Sequence, residues 1–116
     1  MQEIQGLYII SVAARILEMH PQTLRKYERA GFIVPSRTIG MLRLYSAEDI
    51  ARLRLIKHLV ENLNLNLAGV ELVLQMLPSL VSLRELSESS FSEQELKRQV
   101  RVKTDDMLAH LGVSAR

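Results

Sequence analysis

The chain has 116 residues, of which 47% are hydrophobic and 24% charged, and its formal net charge is +2. This length fits one small domain with an appended element. The absence of cysteine excludes disulfides, thiolate zinc sites and thiol redox switches, and it favours a cytoplasmic location. We expect no signal peptide and no membrane association, because the N-terminus lacks a basic region followed by an apolar run and no apolar stretch approaches the ~20 residues of a membrane span.

The charge is distributed unevenly along the chain. Residues 1–58 contain nine basic and five acidic side chains, a balance of +4, whereas residues 59–116 contain six basic and eight acidic side chains, a balance of −2. A basic N-terminal half is compatible with a nucleic-acid surface there.

The first predicted elements are a short strand and a helix. Tyr8–Ile10 is a β-prone run, and Ser11 is a good N-cap for a helix from Val12 to Leu17. A tight turn at Glu18-Met19 follows.

The second helix begins at Pro21, after the cap residue His20, and ends near Ala30-Gly31. Its spacing places Leu24 and Tyr27 on an apolar side that docks on a core. The other side carries amide and cationic groups suited to base edges and phosphates. These groups belong to Gln22, Arg25, Lys26 and Arg29. Two short helices joined by so brief a turn predict a helix-turn-helix.

A small β-hairpin, or wing, is predicted over residues 34–45. Pro35 breaks any helix and Gly40 lies where a hairpin turn would form. Alternation then places Leu42 and Leu44 on one side, with Arg43 and Tyr45 facing outward. An irregular connecting loop is the alternative.

Four helices are expected in the rest of the chain. Ser46 caps a helix that ends near Asn62. Residues 62–67 alternate like a strand, but we prefer a loop followed by a helix from Leu67 to Leu77, capped by Asn66 and stopped by Pro78. Another helix is predicted from Ser79 to Glu88.

The last predicted helix begins with the capping box Ser92–Glu95 and ends near Leu111, before Gly112. It carries a thin apolar stripe interrupted by Lys103, and such a stripe suits a partner helix better than deep burial. The stripe consists of Leu96, Val100, Met107 and Leu111. These residues are the candidate dimerisation contacts, and the alternative is that they fold back on their own domain.

The order of these parts resembles the MerR family of bacterial transcription regulators. The matching residues are Pro21, Thr23-Leu24-Arg25, Tyr27-Glu28-Arg29, Gly31, Pro35, Arg37, Gly40, Arg43, Tyr45-Ser46 and Asp49-Ile50. Within the family, three segments resemble the heat-shock repressor branch, HspR: residues 9–14, 20–25 and 66–70. The resemblance covers about residues 8–77. Two positions depart from it: Glu18 stands where relatives often have glycine, and the wing at 40–44 is less rich in arginine.

The resemblance implies a mainly α, winged helix-turn-helix fold with C-terminal helices for dimerisation. It divides the chain into a DNA-binding domain at 1–77 and a helical dimerisation or regulatory segment at 78–116. It also implies a homodimer that binds an inverted-repeat operator in double-stranded DNA and represses chaperone genes, with a DnaK-type chaperone as co-repressor. Neither a metal nor a cofactor is expected.

Nine residues are the candidate DNA contacts. Arg25, Lys26 and Arg29 are expected at phosphates or guanine edges, and Gln22 and Thr23 at bases or methyl groups. The Tyr27 ring is expected to pack on the core, with its hydroxyl either on a phosphate or purely structural. From the wing, Arg37, Arg43 and Tyr45 would flank the helix.

Other functions are less well supported by the sequence. An enzyme is not expected, because His20, His58 and His110 are scattered and no nucleophile–base spacing or phosphate loop is present. A MerR-like protein that modulates a chaperone or co-chaperone, and an activator that untwists a promoter, remain as alternatives.

Overall fold

The computed structural model describes residues 3–4, 7–37 and 42–113. The chain forms two compact units, Met1–Leu65 and Asn66–Arg116. The predicted functional division after residue 77 stays a prediction, although the compact units themselves divide between residues 65 and 66.

The first unit contains a small antiparallel sheet with strands in the order β1-β2-β4-β3. These strands are β1 (Glu3–Ile4), β2 (Leu7–Ile9), β3 (Ser36–Arg37) and β4 (Arg43–Ser46). The pairing of β3 with β4, with Ser36 opposite Leu44, confirms the predicted hairpin wing. The predicted turn residue Gly40 lies outside the described residues. The sequence did not predict that β2 would pair with β4, with Tyr8 opposite Tyr45.

Two short helices follow the strand β2. The first, α1, spans Ile10–Leu17, and the second, α2, spans Pro21–Arg29. Ser11 was wrongly predicted as the N-cap of α1, because the cap position is Ile9. Ile9 pairs with Leu44 in the sheet, so the chain passes from the sheet directly into the helix and leaves Ser11 inside its first turn.

The third helix, α3, spans Ala47–Glu61 and begins with a complete capping box. The Asp49 amide donates to Ser46 Oγ at 3.0 Å, and the Ser46 amide donates to Asp49 Oδ2 at 2.9 Å. The predicted cap and end of this helix are therefore confirmed. The apolar core of the first unit consists of Ala13, Ala14, Leu17, Leu24, Tyr27, Phe32, Ile33, Tyr45, Ile50, Leu53, Ile56 and Leu59.

The second unit is a pair of packed helices, α4 (Leu67–Glu85) and α5 (Glu93–His110), joined through a 3-10 turn at Leu86–Glu88. The cap at Asn66 is confirmed, since its Oδ1 accepts from the Gly69 amide at 2.8 Å. The predicted stop at Pro78 is wrong, because α4 continues through it. Directly after the proline, Ser79 Oγ donates to Asp106 Oδ2 at 2.6 Å. Packing of α4 against α5 offsets the missing backbone donor.

The apolar character of α4 corrects the expectation that no apolar stretch approaches the length of a membrane span. Within the described part of the chain, the segment Leu67–Glu88 is long and apolar enough to cross a membrane by length and composition alone. Core helices of soluble proteins pass the same test, and here the segment packs against α5. Most of its side chains are nevertheless not buried within the chain, so α4 presents a broad apolar surface.

Candidate nucleic-acid interface

The start of α2 is fixed by local hydrogen bonds. The Gln22 amide donates to His20 Nδ1 at 3.0 Å. Pro21 occupies the first turn, where a backbone N–H would have no acceptor within the helix, so the missing N–H of proline costs nothing. Sequence reasoning predicted both features, and both are confirmed. The side chain of Gln22 is exposed beside this cap.

The turn before α2 contains a residue in the left-handed region. Glu18 has φ 53° and ψ 50°, a conformation that costs a non-glycine residue on the order of 1–2 kcal/mol. Lys57 Nζ donates to the carbonyl oxygen of Leu17 at 2.8 Å and so satisfies the end of α1. This bond from α3 stabilises the turn that orients α2.

The inner side of α2 is anchored in the core. Leu24 and Tyr27 are buried, and the rings of Tyr27 and Phe32 lie 6.2 Å apart between centroids. Burial raises the pKa of the Tyr27 hydroxyl above its ordinary value, and the negative charge of Glu61 adds to this increase. The predicted packing of the Tyr27 ring is confirmed, whereas a phosphate contact by its hydroxyl stays a prediction.

The outer side of α2 carries the predicted contacts together. Gln22, Lys26 and Arg29 are exposed, and Thr23 and Arg25 are half-buried. Across the described residues, no carboxylate forms an ion pair with Arg25, Lys26 or Arg29. Three cationic groups within five residues of one helix therefore create a positive surface without internal neutralisation.

The wing differs from its predicted arrangement. Tyr45 is fully buried, so the outward orientation predicted for it is wrong and its side chain is part of the core. Leu42, by contrast, is exposed. Helices α1 and α3 pack against β4, and the sequence did not predict which side of the strand they would cover. The backbone of Arg37 pairs opposite Arg43, and the side chain of Arg37 lies outside the described part of the structure.

Arg43 is near α2, but it binds a protein group. Its Nε donates to Glu28 Oε1 at 2.6 Å. Sequence reasoning gave Glu28 no role, although it is the only acidic residue between Glu18 and Glu48. An isolated acid in a cationic segment was the available signal.

The predicted dimerisation stripe lies on α5. Val100 and Leu111 are exposed, and Leu96 and Met107 are half-buried. An open groove on this helix is lined by Leu96, Lys97, Val100, Arg101, Thr104 and Asp105. α5 has no fully buried residue along its length, so the exposed Val100 and Leu111 are available to a partner, whereas Leu96 and Met107 are partly covered within the protein.

The residues that the structure describes contain no evident metal site. No three His, Cys, Asp or Glu side chains cluster closely enough there to hold a metal ion.

Comparison with known proteins gives a consistent result. Residues 8–77 match the family described as MerR HTH family regulatory protein. A heat shock protein named HspR from Streptomyces coelicolor is 46% identical over 70 residues, which cover 60% of this chain and 46% of that protein. The match therefore spans about half the length of this relative.

Two further relatives are also transcriptional regulators. The HTH-type transcriptional regulator GlnR of Bacillus anthracis is 31% identical over 91% of this chain and 80% of its own length. The HTH-type transcriptional regulator MlrA of Salmonella typhimurium is 40% identical over 49% of this chain and 24% of its own length. A helix-turn-helix with a hairpin wing and a family match over residues 8–77 lead to one conclusion: the chain belongs to the MerR family of transcriptional regulators and resembles its HspR branch.

Proposed function

We propose that this protein is a dimeric repressor of heat-shock genes that binds an inverted-repeat operator. The observation that carries the proposal is the outer side of α2. Arg25, Lys26 and Arg29 have no ion-pair partner within the described residues, while Leu24 and Tyr27 fix the same helix to the core. A rigid helix with unneutralised cations on one side fits the major groove and its flanking phosphates.

The residues of α2 divide into two roles. Gln22 and Thr23 lie in the first turn, which is the part of a recognition helix that contacts base edges. Lys26 and Arg29 lie further along and neutralise phosphates, and Arg25 is placed for a phosphate or a guanine edge. Phosphate contacts set orientation and register, whereas base contacts supply sequence specificity.

Dimerisation is part of this mechanism, because one small helix reads few base pairs. A second copy docked along α5, through Leu96, Val100, Met107 and Leu111, doubles the contacts. In a helix-turn-helix dimer the two recognition helices lie about 34–36 Å apart, one turn of the duplex. Each mismatched base pair in the operator then costs about 1–3 kcal/mol of binding free energy.

The regulated genes are inferred from the relatives. The Streptomyces coelicolor protein is named a heat shock protein, which supports repression of chaperone genes in the bacterial cytoplasm, at the nucleoid. We include a DnaK-type chaperone as co-repressor. Footprinting upstream of a chaperone operon tests this: protection over the promoter, strengthened by added DnaK, supports the proposal. Protection within the promoter spacer together with increased transcription would instead identify an activator.

DNA binding is tested most directly with Arg25→Ala. The unaltered protein is used to select duplexes from a randomised library, and an inverted repeat is expected among the selected sequences. On such a duplex, gel shift should show a severe loss of affinity for Arg25→Ala with an unchanged circular dichroism spectrum. Affinity should fall with salt with a log–log slope of about −0.9 for each neutralised phosphate.

The matched control is Arg84→Ala. Arg84 is an exposed arginine of α4 in the second unit, so its loss removes the same charge without changing any residue of α2. Equal affinity losses in the two variants would show that α2 has no special role in the contact, and a flat salt dependence for the unaltered protein would refute DNA as the partner.

A further inference from the structure

The contact between Arg43 and Glu28 connects two parts of the proposed DNA surface. Arg43 begins the wing strand β4, and Glu28 lies in the last turn of α2. The Nε–Oε1 distance is 2.6 Å, with the Arg43 side chain 34% exposed and that of Glu28 17% exposed. Partial burial shields this pair from water and salt more than a surface pair.

The strand geometry indicates the direction in which Arg43 points. Side chains two apart on a strand share a side of the sheet, so Arg43 lies on the same side of β4 as Tyr45. Tyr45 is fully buried, and this side therefore faces the interior of the protein. Leu42 precedes Arg43 and is exposed, as expected for the opposite side.

Arg43 thus contrasts with the cations of α2. Arg25, Lys26 and Arg29 have no carboxylate partner among the described side chains, whereas the charge of Arg43 is neutralised by Glu28. We propose that Glu28 and Arg43 form a brace between the recognition helix and the wing, and that Arg43 is a positioning residue for DNA binding and not a phosphate contact. This inference rests on the proposed DNA-binding function.

The brace fixes a distance that DNA binding requires. The wing is joined to α2 in sequence only through residues 30–35, and a duplex requires a set spacing between a groove-binding helix and flanking backbone contacts. The sheet already holds β4 through its pairing with β2. The ion pair adds a direct connection from β4 to α2, which fixes the spacing of helix and wing before DNA arrives and lowers the ordering cost of binding.

The test is a double-mutant cycle on a duplex selected by the unaltered protein. Glu28→Gln and Arg43→Gln should each lower affinity about tenfold, and the double variant should lose about the same tenfold, because either change removes the whole brace. Glu28→Gln is the most revealing variant, since removal of a negative charge near DNA would by electrostatics alone raise affinity. The salt slope should stay unchanged in all three variants, but become less steep in Arg25→Ala.

A milder variant provides a second measurement. Arg43→Lys keeps the charge but loses the guanidinium Nε that binds Glu28. A brace predicts a several-fold loss of affinity, whereas a simple phosphate contact predicts nearly full retention. Thermal unfolding of each variant, followed by circular dichroism, checks that the fold is retained.

Specific results would overturn the inference. These are a gain of affinity in Glu28→Gln, single losses that multiply in the double variant, or a less steep salt slope in Arg43→Gln. If these occur while Arg25→Ala still abolishes binding, the brace is refuted and DNA binding stands. If the unaltered protein selects no duplex, the proposed function fails, and the brace fails with it.

Discussion

The two units of this protein bury their apolar residues to very different extents. Among the described residues, twelve of the fourteen buried apolar side chains belong to the first unit, and two, Val70 and Leu74, belong to the second. The first unit combines three helices with a sheet, which enclose a core from several directions. The second has two helices, α4 and α5, and two helices alone enclose little.

From this difference we infer which unit associates with a partner. The exposed apolar residues of the second unit include Leu80, Phe91, Val100, Val102, Leu108 and Leu111. Exposed apolar side chains that form a patch are typical of an interaction site, and the predicted stripe on α5 is the candidate patch. We therefore expect the first unit to be stable through its own core, and the second to gain much of its stability from association.

The largest expected effect is on the core of the first unit. Leu53 is fully buried on α3, and Leu53→Ala should lower the free energy of unfolding by about 2–5 kcal/mol through lost burial and a residual cavity. Leu80, on α4, is 50% exposed. Leu80→Ala makes the same chemical change, and should lower the free energy of unfolding of the monomer by less than about 0.5 kcal/mol. Urea unfolding at low protein concentration measures both.

Equal destabilisation by the two substitutions would contradict this comparison between the units. If Leu80→Ala were as destabilising as Leu53→Ala in a monomeric sample, the second unit would have a core of its own.

The next effect is on association through α5. Val100→Lys places a charge in the predicted stripe and should weaken the dimer by about 2 kcal/mol, or about 30-fold in dissociation constant. Val102 is also exposed, but two residues further along the helix it points to a different side. Val102→Lys is therefore the matched control, and sedimentation equilibrium is the measurement.

Equal weakening by the two lysines would show that the interface is not confined to the predicted stripe. A dimer unaffected by either would remove α5 from the interface.

Local signals predicted the fold well wherever a few neighbouring residues decide the structure. The cap at His20, the capping box at Ser46 and the cap at Asn66 each depend on side chains within three residues. Ser11 and Pro78 were misinterpreted because distant partners decide there. Pairing of β2 with β4 places Ser11 inside a helix, and packing on α5 carries α4 through the proline.

The candidate DNA-binding site could likewise be predicted only where neighbouring residues decide the arrangement. Helical spacing alone grouped Gln22, Lys26 and Arg29 on one exposed side. The side to which Tyr45 points could not be predicted, because strand alternation gives two sets of residues but not which set is buried. The Arg43–Glu28 pair spans fifteen residues between a strand and a helix, and no local rule links two such positions.

The smallest expected effect concerns the buried side of α2. Burial, and secondarily the charge of Glu61, raises the pKa of Tyr27 above its ordinary value of 10.0. As pH rises past about 10, the unfolded chain loses this proton before the folded protein does. The contribution of Tyr27 to stability is thus fully present below that pH and declines above it.

Tyr27→Phe removes this titration while keeping the ring that packs near Phe32. Between pH 9 and 11 (about one unit on either side of the ordinary tyrosine value), urea unfolding should show a steeper decline for the unaltered protein than for the variant. The other titrating groups contribute equally to both curves and cancel in the difference. Parallel curves would mean that the Tyr27 hydroxyl is as well hydrated in the folded protein as in the unfolded chain. The inner side of α2 would then be less firmly docked than a recognition helix requires.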